Sequence, residues 1–283
     1  MNAERMWEAW RQALRASAGT LARTMLVAAL AIGLGTGPAH ADPAAESHYA
    51  AVLLATVQST EKLDELVVDI LATRLGPEKH AIARRMLVKL FTHPAMPAFV
   101  ARTGAEWGSS PSASQSREAM EISVSILRLA GMRRLAPEHQ RQFIDQMASK
   151  LQHASEQVCH ELRENRRGAF DSLEREHLRR IGLDEFAAFI RLAEMSALAE
   201  LADEPKPANL SEEQLRRAGE AFIAAREDRF AVLDHDVSRE ISARLLAPID
   251  VDCMPLHATY YAMQEMAEPE RTWVIRAFLE RLQ

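Results

Sequence analysis

Ser116-Arg-Glu-Ala-Met-Glu-Ile-Ser-Val-Ser-Ile-Leu-Arg-Leu-Ala-Gly-Met-Arg-Arg-Leu135 decides the fold class. Its apolar residues Met120, Ile122, Val124, Ile126, Leu127 and Leu129 lie on more than one face of a helix. A surface helix carries one apolar stripe, whereas a helix apolar on several faces sits in the middle of a core. The stretch therefore reads as a central, mostly buried helix over about 116–135.

Helical spacing continues on both sides of it. Leu53, Val57, Leu63, Val67, Ile70 and Leu71 predict a first helix over about 46–75. Pro77 opens a second, 77–92, which ends before Pro94, and a short helix covers 95–103. Gly104 to Ser116, rich in Ser and Gly, reads as a loop. Downstream, Pro137 opens a helix over 137–166, and Gly168 separates it from 169–181. Another helix, 184–202, buries Phe186, Phe189, Ile190, Ala193, Ala197 and Leu201. Ser211-Glu-Glu-Gln214 is a capping-box start for a helix reaching about Leu246. Two last helices follow, 256–267 and 269–282.

No alternating β-branched run long enough for a strand is present. The composition agrees: aromatic residues are 6 %, with only 11 Gly and 12 Pro in 283 residues. The expected fold is all-α, a single-domain irregular bundle of about eight or nine helices. Leu75-Gly-Pro-Glu78, Leu135-Ala-Pro-Glu138 and Leu210-Ser-Glu-Glu213 each precede a helix, but at unequal spacing. They read as shared helix-start chemistry rather than as a solenoid repeat.

The first 41 residues read as an address. Arg5, Arg11, Arg15 and Arg23 precede an apolar run from Thr24 to Gly35; Gly37-Pro38 then leads to Ala39-His-Ala41. This is the order of a secretory signal peptide, with cleavage expected between Ala41 and Asp42. The apolar core is shorter than the ~20 residues that span a bilayer as a helix; an uncleaved anchor is the alternative. The leader carries four Arg and two Glu, so the net charge of -6 becomes -8 for residues 42–283. Such an acidic chain is a poor nonspecific binder of nucleic acid. The expected location is a bacterial periplasm or the exterior, with no membrane span after cleavage.

Cys159 and Cys253 are the only cysteines. An even count in an exported chain points to a disulfide, pinning the Pro248–Pro255 loop to the helical body. No Cys-x-x-Cys is present, which argues against a redox or thiolate-metal site.

No motif names a reaction. His160-Glu161 lacks the second His of a zinc-protease helix. Glu174-Arg-Glu176-His177 contains one Glu-x-x-His, where a di-iron bundle needs two. His153 and His160 share a helix face without further ligands, and Asp234-His235-Asp236 point apart. Asp250 and Asp252 lack the spacing of a Ca²⁺ loop. Ser109, Ser110, Ser112, Ser114 and Ser116 lie among turn formers rather than at a nucleophile elbow. Arg163 to Arg180 alternates with acids and reads as a solvated, ion-paired face. Neither a cofactor nor a metal is expected. The leading function is non-catalytic binding of another periplasmic or envelope protein, as adaptor, chaperone-like factor or inhibitor. The rivals are a hydrolase-like enzyme with a dispersed His/carboxylate site, and a carrier with an apolar cavity between helices.

Overall fold

The computed structural model describes residues 42–234, apart from 165, 167 and 208, together with 253–281. All of its regular structure is helical, and no strand occurs among the described residues. Among the described residues twelve α-helices follow one another: α1 Pro43–Gln58, α2 Thr60–Ile70, α3 Pro77–Phe91, α4 Met96–Thr103, α5 Ala113–Ala130, α6 Pro137–Gln152, α7 Glu156–Arg163, α8 Ala169–Arg180, α9 Leu183–Ala202, α10 Glu212–Asp234, α11 Met254–Glu265 and α12 Glu270–Arg281. Two 3₁₀ turns, Ala105–Trp107 and Gly131–Arg134, flank α5.

The all-α expectation holds, but the expected count of eight or nine helices is too low, and two of the segments expected as single helices are each two. The 46–75 helix is interrupted at Ser59, whose hydroxyl accepts from the Lys62 amide at 3.3 Å and so starts a new helix. The 137–166 helix stops at Gln152 and restarts behind Ser155. Ser155 Oγ accepts from the Val158 amide at 3.4 Å and donates to Glu176 Oε1 at 2.7 Å. In both places a serine offers the backbone an alternative to continuing the helix. The central helix also begins earlier than expected. Ser112 and Gln115 form a capping box, Ser112 N to Gln115 Oε1 at 2.9 Å and Gln115 N to Ser112 Oγ at 3.3 Å. The Ser211–Gln214 box forms as the sequence suggests, with bonds of 2.9 and 3.2 Å. The expected continuation of that helix from 235 to 246 lies outside the described residues.

The chain groups into two compact units. The first holds residues 42–135 and 178–207, hence α1–α5 and α9. Helices α3 and α5 pack on α9, and α1 packs on α4. Tyr49, Leu53, Leu63, Val67, Leu90 and Phe186 are buried in its core. Long side chains tie its ends. Lys79 Nζ donates to the carbonyls of Leu178 and Ile181 at 2.9 and 2.6 Å, and Arg117 bridges Asp69 and Glu65. Arg134, with 5 % of its side chain exposed, reaches Glu200 at 2.6 Å, Asp203 at 2.7 Å and the Pro205 carbonyl at 3.3 Å.

The second unit holds 136–177, 209–234 and 253–281, hence α6, α7, α10, α11 and α12; helix α8 is divided between the units after His177. Helix α11 packs on α6 and α10, and α12 lies against α10 and α6. Ile144, Met147, Leu151, Phe222, Tyr260 and Phe278 are buried there. The Tyr260 and Phe278 rings meet edge to face with centroids 5.7 Å apart. Burial pushes the Tyr260 phenol above its ordinary pKa. No helix among the described residues is long and apolar enough to cross a membrane.

Candidate functional site

The two cysteines come together. Cys159 on α7 and Cys253 at the N-cap of α11 are 94 residues apart, yet their sulfurs stand at bonding distance and both side chains are buried. The pair anchors α11 to α7 within the second unit.

The other residues marked in the sequence are taken up by structural contacts. Glu174 pairs with Lys150 Nζ at 3.0 Å, Glu176 caps Ser155, and His177 is 4 % exposed. The Glu174–His177 stretch thus stitches α8 to α6 and α7. His160 Nε2 meets Glu164 at 3.1 Å. His153 does not share a helix with His160, contrary to the sequence reading; it closes the C-terminus of α6, Nδ1 lying 2.9 Å from the Ser149 carbonyl oxygen. Among the described residues, no three His, Cys, Asp or Glu side chains gather as metal ligands would. His235, Asp236, Asp250, Asp252 and Ala41 lie outside the described residues. Asp42, expected to follow the cleavage point, is the N-cap of α1 and accepts from the Ala44 amide at 3.0 Å.

Part of the serine cluster does more than the expected loop would. Ser112 caps α5. Ser116, 2 % exposed, lies inside the helix with its Oγ 3.2 Å from His48 Nε2 on α1. The fold brings this hydroxyl and imidazole together across 68 residues.

Among the described residues, the second unit holds a groove of about 300 Å³. One wall is α6, where Glu138, Arg141 and Asp145 follow one another at helical spacing. The other comes from α11 and α12, with Gln264 and Arg271. Glu268, between those helices, ties the walls: Arg141 Nη1 donates to its Oε1 at 2.7 Å and Arg271 Nε at 2.9 Å. Thr272 Oγ1 donates to Oε2 at 2.7 Å. Burial works to raise the Glu268 pKa, and hydrogen bonds from Thr272, Arg271 and Arg141 outweigh it, holding the carboxyl at about 2. Gln264 Nε2 donates to Asp145 Oδ1 at 2.7 Å. The lining is largely polar, unlike the apolar cavity a lipid carrier would show.

The sequence reading missed this groove. Arg141 and Glu268 are 127 residues apart. The one local signal was Glu268 three residues before Arg271, a spacing that pairs charges on a helix.

On the first unit, α1 presents the other unexplained surface. Its inner residues Ala45, Tyr49, Leu53 and Thr56 are buried, while Ala44, Ala51, Leu54 and Ala55 are exposed. Comparison of the chain with family models, with curated proteins and with solved structures gave no match.

Proposed function

We propose that the chain is an exported, non-catalytic protein that binds a partner protein through the outer face of α1. One observation carries this reading. Leu54 is 57 % exposed, more than any other large apolar side chain noted among the described residues, and its neighbours Ala51 and Ala55 are exposed beside it. From His48 to Thr60 there is no Asp, Glu, Lys or Arg. A solvent-facing helix surface normally carries charge, and contiguous apolar surface without it marks interaction sites. A partner of matching chemistry offers an apolar helix face. The basic leader with its apolar run, and a cysteine pair at bonding distance, support export.

A photo-crosslinking side chain at position 54 tests the reading in envelope extract. One adduct of defined mass is expected, and Leu54→Glu should abolish partner capture without changing the melting temperature. No adduct, or capture that survives Leu54→Glu, removes the proposal.

The contact between His48 and Ser116 favours a second reading, hydrolysis at a site assembled by the fold. A fluorophosphonate probe that labels Ser116, and fails on His48→Gln, would establish it; an unlabelled protein would leave the contact as a helix-to-helix hydrogen bond.

A further inference from the structure

Two guanidinium groups share one carboxylate oxygen in the groove of the second unit. Glu268 Oε1 accepts from both Arg141 and Arg271, while Oε2 is occupied by Thr272. That one oxygen holds both guanidinium groups side by side. Among the described residues Arg141 makes no other hydrogen bond, and Arg271 makes one more, from Nη1 to the Gln264 carbonyl at 3.1 Å. Arg141 keeps Nε–H and its Nη2 donors, and Arg271 keeps its Nη2 donors. A planar set of spare N–H groups of this kind matches a carboxylate.

Acids flank these donors. Glu138 lies one turn before Arg141 on α6 and Asp145 one turn after it. Glu138 is exposed and has no partner among the described residues. Asp145 accepts from Gln264 through Oδ1, which leaves Oδ2 free. Between the charged groups Ile144, Met263 and Ile275 form a floor that is 1 %, 0 % and 1 % exposed.

We infer that this groove binds a free α-amino acid. The carboxylate lies on Arg141 and Arg271 and the ammonium group on Glu138 or Asp145. The charge pattern selects a zwitterion. A simple anion would face the two unneutralised acids, and a simple cation would face the two guanidinium groups; a ligand carrying both charges close together meets complementary partners at each end. The size agrees, because about 300 Å³ is at the small end of ligand pockets.

Isothermal titration calorimetry of the purified protein with L-leucine, N-acetyl-leucine and leucine methyl ester tests the inference. Leucine should bind with a Kd on the order of 0.1–1 mM, given a groove open to solvent. Blocking either charged end should weaken binding by about tenfold or more. Arg141→Gln should weaken leucine by a similar factor. Because Arg141 also braces Glu268, Glu138→Gln provides the cleaner arm: about threefold or more weaker binding with an unchanged melting temperature. Absence of leucine binding at ~20 mM, far above that Kd, overturns the inference. So does equal affinity for all three ligands, or unaltered leucine binding by both variants. The α1 reading stands or falls separately, since Leu54 belongs to the other unit.

Discussion

A Cβ atom on Gly131 would collide with the carbonyl oxygen of Ser196. The turn that ends α5 and the middle of α9 therefore touch backbone to backbone, and Ser196 Oγ locks the contact by donating to the Arg128 carbonyl at 2.7 Å. The obstacle is main chain rather than a mobile side chain, so the helices must separate to admit a methyl group. Gly131→Ala should cost about 3 kcal/mol, the upper range for overpacking. Gly182→Ala is the control: its Cβ meets nothing within 4 Å, and it should cost less than about 1 kcal/mol. Urea unfolding midpoints of the two variants measure the difference.

Arg134 is the buried cation of the same unit, held by Glu200, Asp203 and a carbonyl. Its removal strands Glu200, whose side chain is 15 % exposed, without its closest partner. Arg134→Met should destabilise by about 3 kcal/mol. Arg134→Lys should recover only part, because an ammonium cannot bridge two carboxylates in the plane of a guanidinium. Chemical denaturation of the three proteins side by side checks both statements.

Glu268 supplies a pH signature. Its folded pKa is depressed to about 2, so its contribution to stability is present above the ordinary carboxylate range and disappears as pH falls from about 4.5 toward 2. Glu268→Gln should therefore melt below the unaltered protein at pH 7, and the gap should close through that acid window. A gap independent of pH would mean that packing, not charge, sets the effect.

The Cys159–Cys253 pair closes a long loop, with 94 residues of separation. Loop-closure entropy sets an upper bound of ~4–5 kcal/mol on its stabilisation. Intact mass under non-reducing conditions should show no alkylatable thiol. The Cys159→Ala, Cys253→Ala double variant should unfold at lower denaturant, and addition of reductant should not lower it further.

Much of the local structure was legible because its causes are local. Pro77, Pro137 and the Ser211 box start helices where spacing and capping chemistry place them, and Pro94 follows the end of α3. Ser59 and Ser155 were misread for the same physical reason: a serine inside an apolar period can stay in the helix or restart it. Glu176, 21 residues away, engages Ser155. The Ser112 box was present in the sequence but was hidden within a run of serines that looked like a loop.

The sequence by itself determined the helical class, the positions of most helix starts, and the pairing of the only two cysteines, because these follow from period, capping and count. Tertiary structure alone decided the grouping into two units, the meeting of His48 with Ser116, and the convergence of Arg141 and Arg271 on Glu268. Each of these joins residues distant along the chain, and a spacing rule that works over one or two helical turns carries no information across such a span.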